Sequence, residues 1–568
     1  MEPNPTSSAL VDLRALSALS PARRVDALLS RTDAKAAVQS LEPFALYHLV
    51  REVGLEDCAE LCQLASDEQV QAFVDLDCWR KDEVDTASLV PWLQVFMEAG
   101  DKRMARVLSS LDPEPVVLLL KECIIVFHLE DGIPPAEIDE HGIAYETLDG
   151  VWAFAFITQD DDRQQFVRQL LRRWYHLDIQ RARAALEGVS WELVFNMTET
   201  AYRDRSIRMA ELGFVPFDEA AGLYARLGLE KLRRELVGAA AERGQPEVHS
   251  RLGNGPLPDL YRERFQGGTF LESCIAEATL PDVLGQQIVA VANKALSAEP
   301  ADPRDLEAVR LTFDRVRGLL DIGLEFVAGG NVRLGADILE TAHVQYIVQA
   351  GHNVVMGLAD QARRVFGSTD LVAALTVIDD APYSLLDPSD RGLIQSLLLA
   401  RPLYHAREES FARPFGSSAD ARTAASRLTM LAFEVTALYG LLGVKPDALR
   451  ELVYSDDVQP AVELISLGTL LRTCVLLWAL DAPEPLRAIR PSELASIAPV
   501  SAARLVEVGG QRLSASPDLA DDAKAVAAAW LQSTAATLED ELGGLSAAAL
   551  RAGDASATMF GSTFLVAE

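Results

Sequence analysis

Cysteine is scarce in this 568-residue chain and forms no recognisable pattern. The six cysteines include no C-x-x-C pair, and the closest two are Cys58 and Cys62. Sparse thiols of this kind in a long chain are typical of reduced cysteines in a cytosolic protein. Residues four apart on a helix lie roughly 5–6 Å from each other, longer than a disulfide usually spans. We therefore interpret Cys58 and Cys62 as core thiols, with a two-thiolate metal site as the alternative.

Long hydrophobic runs are also missing. The two most apolar stretches, 428–444 and 465–480, contain one charge each, Glu434 and Arg472. Both stretches are shorter than the ~20 residues that cross a bilayer, so we interpret them as buried helices whose two charges pair. The first residues lack the basic and apolar regions of a secretory signal. The sequence therefore predicts a cytoplasmic protein without a membrane span.

Basic residues are few: the chain has 52 Lys and Arg against 84 Asp and Glu, which gives a formal net charge of −32. Such a chain repels nucleic acid backbones and anionic membranes. One helical stretch departs from this trend, because Arg168, Arg172 and Arg173 lie away from its apolar face. These arginines are candidates for contacting RNA or an acidic partner, and the alternative is pairing with the protein's own acids. Given the net charge, we expect a protein partner and no nucleic acid.

The common nucleotide-binding and hydrolase motifs are absent as well. The stretch Gly330 to Gly335 has the glycine spacing of a P-loop, but Ala336 occupies the position of the phosphate-binding lysine. No G-x-S-x-G, H-E-x-x-H or EF-hand loop occurs. The sequence therefore leans against an enzyme, and no residue pattern indicates a cofactor or an oligomeric state.

Two pairs of residues remain as candidates for chemistry. Glu340 and His343 form Glu-x-x-His, which is half of the ligand set of di-iron carboxylate bundles; the alternative is an ordinary helix histidine. Asp379 and Asp380 are a candidate catalytic carboxylate pair. Aspartate beside a proline-containing turn is also typical of a turn or cap former, and that alternative stays open.

A repeated helical unit is present near the N-terminus. Its leucines are spaced by 22, 23 and 47 residues and lie at Leu19, Leu41, Leu64 and Leu111. Three of these units continue with Ser, Glu or Asp and then Pro, which suits the first position of a helix. The remaining unit has Ser66 and Gln69 at the spacing of a capping box. A period in the twenties predicts a short, solenoid-like helical repeat.

Extended structure is predicted in one place. Residues 143–159 are rich in β-branched and aromatic residues on both sides of Asp149-Gly150. This dipeptide between extended runs is a strong hairpin signal. Because an isolated hairpin is marginally stable, we expect it to pack on neighbouring helices.

The fold class is therefore mainly α, with a solenoid-like N-terminal region, a small α+β segment and a C-terminal helical bundle. In the bundle, helices are predicted over about 305–328 and about 332–365. The domain boundaries that we predict are a flexible tail at 1–16, a helical-repeat domain at 17–130, an α+β segment with the hairpin at 131–242, a Gly- and Pro-rich linker at 243–260, a helical bundle at 261–498, and an Ala- and Asp-rich helical segment and tail at 499–568.

Three stretches carry a resemblance to a known family. They are 46–85 (LYHLVREVGLEDCAELCQLASDEQVQAFVDLDCWRKDEVD), 208–227 (RMAELGFVPFDEAAGLYARL) and 374–402 (ALTVIDDAPYSLLDPSDRGLIQSLLLARP). Together they resemble an uncharacterised bacterial family of the domain-of-unknown-function type over most of the chain, and that family supplies no activity or catalytic residues. The L-D/E-P-x-x-x-x-L-L units are also similar to the cytosolic helical domain of magnesium transporters, over about the first 130 residues. No transporter membrane region follows them.

Two hypotheses for function follow. The first is a non-catalytic helical scaffold or adaptor that binds another protein, which the repeat, the missing motifs and the acidity favour. The second is a metal-dependent enzyme or metal sensor with its site in the C-terminal helical half, near Glu340, His343, Asp379 and Asp380. We favour the first.

Overall fold

The computed structural model describes residues 19–80, 82–136, 138, 143–242, 268–278, 281–299, 302, 304–515, 521–552 and 563–567. Contacts divide the chain into two compact units, Met1–Gly351 and His352–Glu568. The division falls inside one long helix, Val344–Phe366. The predicted tail at 1–16 and the predicted linker at 243–260 lie outside the described residues.

Helices make up most of the N-terminal unit because apolar residues recur along it at the helical period. The predicted mainly α fold is confirmed. The described helices of this unit are Pro21–Leu29, Ala34–Gln39, Pro43–Val53, Ala59–Leu64, Asp67–Asp77, Thr86–Glu98, Asp101–Ser110, Pro113–Cys123, Asp161–Leu177, Ile179–Trp191, Val194–Glu211, Phe217–Ala221, the 3-10 turn Gly222–Tyr224, Leu229–Glu242, Phe270–Glu277, Pro281–Ala298, Leu306–Ala328, Val332–Thr341 and the first part of Val344–Phe366.

The first helices begin where local signals predict. Proline occupies the first helical position in three of them, two residues after a leucine of the predicted unit, at Pro21, Pro43 and Pro113. A proline there loses no helical hydrogen bond, because the first N–H groups of a helix have no partner within it. The helix starts are thus encoded locally.

The helix Asp67–Asp77 begins with the predicted capping box. The Gln69 N–H donates to Ser66 Oγ at 3.1 Å, and the Ser66 N–H donates to Gln69 Oε1 at 2.8 Å. The Gln69 side chain also reaches the preceding helices, since its Nε2 donates to the carbonyls of Val38 and Leu41 at 2.9 and 2.8 Å. This one side chain therefore both starts its helix and fixes the helix against its neighbours.

The predicted hairpin is present and belongs to a larger sheet. Strand Glu146–Thr147 pairs antiparallel with Trp152–Phe156 across a turn in which Gly150 has a φ of +70°. A third strand, Ile124–His128, pairs along the other edge of Trp152–Phe156, so that the longest strand is central. A second, two-stranded sheet joins 79–80 to 83–84. Both the third strand and this small sheet were missing from the sequence prediction.

The hairpin turn is tied to the helices that follow it. Asp149 Oδ1 accepts hydrogen bonds from the N–H groups of Val151 and Trp152, both at 2.9 Å. Asp149 Oδ2 accepts from Arg183 Nε at 2.7 Å and from the Tyr175 hydroxyl at 3.2 Å. The hairpin therefore packs on helices Asp161–Leu177 and Ile179–Trp191, which carry those two donors.

Two helices of the N-terminal unit cross with almost no space between their backbones. A Cβ added to Gly323, in helix Leu306–Ala328, would collide with the Ile347 carbonyl oxygen. A Cβ added to Gly351 would collide in turn with the Leu319 carbonyl oxygen. The crossing therefore requires glycine on both helices.

The predicted helix over about 332–365 is wrong in one respect, because it consists of two helices. Val332–Thr341 ends at a break at Ala342 and His343, and Val344–Phe366 follows. Ala342 is extended, with a φ of −102° and a ψ of 152°. The apolar periodicity continues through this break, so periodicity alone gave no sign of it.

The C-terminal unit is also helical. Its described helices are the remainder of Val344–Phe366, Thr369–Leu375, Pro388–Leu397, Ser418–Val435 continued by the π-helix Thr436–Leu441, Pro446–Val453, the 3-10 turn Val462–Leu464, Leu467–Ala479, Pro491–Leu494, Ala502–Ala515, Asp521–Leu542 and Ala547–Ala552. Its described strands are Val458–Gln459 and Val566–Ala567.

A short extended segment near the end of the chain is built into this unit. Val566–Ala567 pairs antiparallel with Val458–Gln459. The Leu565 N–H donates to Thr473 Oγ1 at 2.9 Å, and the Leu565 carbonyl accepts from the Ile489 N–H at 3.1 Å. Leu565 is fully buried, so this segment is part of the core.

Among the described residues, no single helix is long and apolar enough to cross a membrane. One pair of helices, Ser418–Leu441 and Pro446–Val453, meets the length and composition requirement together, with a bend of 99° between them.

Candidate interaction surface

The three most exposed large apolar residues described in the N-terminal unit lie at one turn between two helices. Helix Ile179–Trp191 ends there and helix Val194–Glu211 begins. The first helix is held close to Pro113–Cys123, because a Cβ on Gly188 would lie only 3.2 Å from the Val117 side chain. The turn therefore follows a helix that packs closely on Pro113–Cys123.

Four large apolar side chains at this turn face solvent. Their exposed fractions are 78% for Trp191, 68% for Leu193, 56% for Val194 and 74% for Phe195. We call these four residues the apolar patch. Scattered exposed apolar residues are normal in proteins, but a contiguous group of large ones marks an interaction site.

The start of the second helix departs from the usual capping rule at the same place. Leu193 occupies the N-cap with a φ of −81° and a ψ of 133° and provides no side-chain hydrogen bond to the helix. Ser, Thr, Asp and Asn are strongly preferred there, and replacing them by an apolar residue costs ~0.5–2 kcal/mol. An exposed leucine at this position lowers stability, and such departures from local rules concentrate at functional sites.

Acidic residues surround the apolar patch. Glu187 lies four residues before Trp191 and Glu199 four residues after Phe195, and all four are exposed. Residues four apart lie on one side of a helix. Glu192, inside the turn, is exposed as well. The patch therefore has a carboxylate beside it on each helix and one within it.

A further carboxylate lies half-buried beneath the turn. Glu114 lies at the start of the helix beneath the turn. Partial burial raises its pKa, and the nearby negative charges of Asp112, Asp204 and Glu192 raise it further. We call the exposed carboxylates Glu187, Glu192 and Glu199 the acidic rim.

Basic groups near the rim are engaged in bonds of their own, and one of them, Arg208, has its Nη2 2.6 Å from Asp112 Oδ2. The Arg203 guanidinium pairs with Asp204, with 3.3 Å between Nε and Oδ1. Lys121 Nζ donates to the Val189 carbonyl at 2.6 Å, next to the last turn of helix Ile179–Trp191. The acids outnumber the bases, so the surroundings of the patch are negative.

The predicted arginine surface is largely neutralised by the protein's own acids. Arg168 Nε lies 2.8 Å from Glu146 Oε1, and its guanidinium also lies over the Phe156 ring at 4.9 Å. Arg173 Nε lies 2.8 Å from Asp101 Oδ1. Arg172 is the most exposed of the three and lies 3.8 Å from Glu146 Oε2. The contacts therefore follow the alternative interpretation, in which these arginines pair internally.

The candidate carboxylates Asp379 and Asp380 lie in an exposed turn of the C-terminal unit. Asp379 Oδ1 accepts a hydrogen bond from the Ala381 N–H at 2.9 Å, which is the geometry of a turn-forming aspartate. Ser384 Oγ accepts from the N–H groups of Val377 and Ile378 at 3.1 Å and closes the same turn. Asp379 therefore has a structural role in this turn.

The structure separates Glu340 from His343. Glu340 lies in helix Val332–Thr341, whereas His343 lies in the break after it, exposed and with its ring 6.0 Å from the Tyr346 ring. They therefore do not share one helical face. In the part of the chain that the structure describes, no group of three or more His, Cys, Asp or Glu side chains is arranged to hold a metal ion.

All six cysteines are buried and free. Burial raises the pKa of the Cys58 thiol to about 11 and that of the Cys62 thiol to about 12. A thiol must lose its proton to act as a nucleophile or a metal ligand. These two thiols therefore behave as core residues, in agreement with the favoured interpretation of the sequence.

A buried carboxylate in the N-terminal unit, Asp77, is held by structural hydrogen bonds. Asp77 accepts hydrogen bonds from the Tyr47 hydroxyl and from Trp92 Nε1, both at 2.8 Å. Burial, together with the Asp77 charge, raises the pKa of Tyr47 above its usual range, so Tyr47 stays a donor. The neighbouring His48 is buried, and burial lowers its pKa to about 3. A histidine with this pKa stays neutral at physiological pH.

The two charges in the apolar stretches of the C-terminal unit do not form the expected ion pair. Glu434 Oε1 accepts from Trp530 Nε1 at 3.2 Å, and Arg472 Nε donates to the Thr563 carbonyl at 2.6 Å. Burial raises the pKa of Glu434 to about 7, with a further rise from the charge of Asp390. The charges of Glu434 and Arg472 act on each other through space only.

Comparison with protein families gives one match. A model of a family of unknown function, DUF6178, matches residues 6–557. The chain belongs to the DUF6178 family. Neither the comparison with curated proteins nor that with solved structures gives a match. Membership of DUF6178 confirms the resemblance seen in the sequence, and it supplies no activity.

Sequence reasoning missed the apolar patch. The stretch Ser190 to Phe195 reads as apolar residues at the junction of two helical patterns, which is how core residues also read. Burial depends on whether another element covers the turn, and that is a tertiary property. The available signal was the leucine at Leu193, where a helix start usually has a capping residue.

Proposed function

We propose that this member of DUF6178 is a non-catalytic helical scaffold or adaptor that binds a protein partner through the apolar patch. The observation that carries the proposal is the exposure of Trp191 and Phe195, at 78% and 74%. Tryptophan is enriched among the residues that dominate binding energy at protein interfaces, and aromatic residues are enriched at interfaces generally.

The uncapped helix start strengthens this proposal. A leucine at the N-cap and three more large apolar residues beside it lower the stability and solubility of the free protein. When a partner covers a surface of this kind, the burial of apolar area lowers the free energy of the complex. Stability is often given up in this way where binding needs it.

We also propose that the protein works in the cytoplasm and that residues 17–130 form a helical-repeat region. The six free cysteines support a reducing compartment. The regular helix starts after the spaced leucines support the repeat. The formal net charge of −32 favours solubility.

A site-specific crosslinking experiment tests the proposed function. A photoreactive amino acid is placed at Leu193 in the full chain, and at Phe411, which is 85% exposed in the C-terminal unit, as the matched control. We expect a discrete crosslinked protein from position 193 that is absent from position 411. That protein is then identified and purified.

Titration of the purified partner completes the test. Truncation of an anchor residue at an interface costs ~2 kcal/mol or more, which is roughly 30-fold in Kd. We expect Trp191→Ala and Phe195→Ala each to weaken binding by about this factor, while Phe411→Ala leaves it unchanged. Equal affinities for all three variants would refute the proposed function.

A further inference from the structure

We propose that the occupant of the apolar patch is a short, basic, amphipathic segment of the partner, with apolar side chains on one face and Lys or Arg beside them. This inference rests on the proposed function and deepens it. It follows from three features of the same surface: its charge, its size and its shape.

The charge of the surface selects a basic occupant. The apolar patch lies within the acidic rim, in which Glu187, Glu192 and Glu199 are all exposed. When a partner covers the patch, these carboxylates lose part of their contact with water. A partner with cations at the same positions compensates for that loss, whereas a neutral or acidic partner does not.

The same charges disfavour two other occupants. In a symmetric dimer, a second copy of this chain brings its own acidic rim to the interface, so that like charges face each other. An anionic membrane surface is repelled by the rim and by the formal net charge of −32. A basic protein segment avoids both penalties.

The size of the patch indicates a segment. A large aromatic residue contributes ~150–250 Å² of surface, so the four partly exposed side chains present on the order of 500 Å². A standard protein–protein interface covers roughly 800 Å² on each partner. A single short segment covers the patch and still reaches the rim, whereas a broad, flat partner leaves most of its own interface unmatched.

The shape of the surface suits a helix laid along it. Tyr202 is 40% exposed and lies seven residues after Phe195 on helix Val194–Glu211. Seven residues are nearly two helical turns, so both rings lie on one side, roughly 10 Å apart along the axis. Amphipathic helices present anchors at comparable intervals, at i, i+3, i+4 and i+7.

Defined peptides test this inference on the full chain. The probe is a labelled peptide of about 18 residues with leucines at helical spacing and lysines elsewhere, and its counterpart has glutamate at every lysine. Binding is measured by fluorescence anisotropy over a range of salt concentrations. We expect the leucine–lysine peptide to bind and the leucine–glutamate peptide to bind at least tenfold more weakly.

Two sets of variants separate site binding from general attraction to an acidic protein. The rim variant carries Glu187→Gln, Glu192→Gln and Glu199→Gln. The control variant carries the same change of charge at exposed sites of the C-terminal unit, Asp447→Asn, Glu451→Gln and Glu463→Gln. We expect the rim variant to lose at least tenfold in affinity and much of its salt dependence, and the control variant to lose less than threefold.

Each other outcome has a definite meaning. Equal losses in the rim and control variants, or equal binding of both peptides, would overturn the inference. Self-association that Trp191→Ser and Phe195→Ser abolish in sedimentation would show that a second copy is the occupant. If crosslinking at Leu193 identifies a partner whose affinity is unchanged in the rim variant, the proposed function stands and this inference fails.

Discussion

At the scale of single residues, each unit contains a carboxylate that is largely removed from water and accepts hydrogen bonds from buried side chains. Asp77 is 5% exposed and accepts from two buried donors, while Glu434 is held by one indole donor. The two carboxylates differ in how many donors compensate for burial. Their substitution is therefore expected to have opposite effects on stability.

Removal of the Asp77 carboxylate is expected to be strongly destabilising. In Asp77→Ala, the Tyr47 hydroxyl and the Trp92 indole N–H lose their acceptor inside the core, at ~1–3 kcal/mol for each unsatisfied donor. Tyr47→Phe removes one donor and keeps the other bond, so a smaller loss of ~1–2 kcal/mol is expected. Urea unfolding measures both losses.

The exposed Asp26, in the first helix, provides the control for this pair. Asp26→Ala is expected to change the free energy of unfolding by less than ~0.5 kcal/mol. A loss in Asp77→Ala no larger than that of the control would contradict the role of Asp77 as a buried acceptor.

Glu434→Gln is expected to stabilise the protein at alkaline pH. The pKa of Glu434 is about 7 in the folded protein against a usual 4.5, so the folded state binds the proton more tightly than the unfolded state. Stability from this group is therefore fully present below about pH 4.5, falls between the two values and stays low above pH 7. Glutamine keeps an acceptor for Trp530 and carries no charge.

Melting curves at pH 5 and pH 8 measure this effect. At pH 8 the free energy of unfolding of the variant is expected to exceed that of the wild type by on the order of 1–3 kcal/mol. At pH 5 the difference is expected to be much smaller. Glu451→Gln, at an exposed position of the same unit, is the control and should shift neither curve. A gain that is the same at both pH values would rule out titration of Glu434 as its cause.

At the scale of helices and strands, local chemistry predicted the beginnings of elements better than their partners. Ser66 and Gln69 encode a helix start, and Asp149-Gly150 encodes a hairpin turn, because each acts through bonds to its nearest neighbours. Strand Ile124–His128 was missed because it continues an apolar helix directly and pairs with residues 152–156. Its identity depends on that distant partner.

The helix crossing at Gly323 is expected to tolerate no side chain. In Gly323→Ala, the added methyl group meets the backbone of helix Val344–Phe366, so the two helices must move apart, at ~1–3 kcal/mol or more. Gly357, on that same helix, has no atom within 4 Å of an added Cβ. Gly357→Ala is therefore expected to be neutral or to stabilise by up to ~1 kcal/mol. Thermal unfolding compares the two variants, and similar melting temperatures would contradict the close crossing.

Leu193→Ser is expected to stabilise the free protein and to weaken partner binding. Serine at the N-cap accepts a hydrogen bond from the first turn of helix Val194–Glu211, worth ~0.5–2 kcal/mol. The same change removes one apolar side chain from the patch. Thermal unfolding and partner titration measure the two effects, and Leu193→Ala is the control that removes the side chain without adding a cap. A serine variant no more stable than the alanine variant would show that the cap does not form.

At the scale of the whole molecule, charge and apolar contact are expected to act on different steps of binding. The formal net charge of −32 attracts a basic partner over several ångströms, which raises the association rate at low salt. The apolar patch acts only in contact and sets the dissociation rate. The sequence did not predict this surface, because the exposure of Trp191 depends on which elements of the fold leave the turn uncovered.

Rapid-mixing kinetics with the identified partner separate the two steps. Raising the salt concentration is expected to lower the association rate at least tenfold and to change the dissociation rate less than threefold. Phe195→Ala is expected to do the reverse. Salt dependence that appears mainly in dissociation would show that the charges act in the bound complex and not during the approach.

The exposed turn also gives the protein a built-in optical probe. Six of the seven tryptophans are buried or half-buried, and Trp191 alone is largely open to solvent. Small quenchers in solution should therefore reach its indole selectively. Because carboxylates surround it, caesium ions should quench its emission more strongly than iodide ions do. A bound partner should shield the ring from both, so the occupancy of the surface is readable from unlabelled protein.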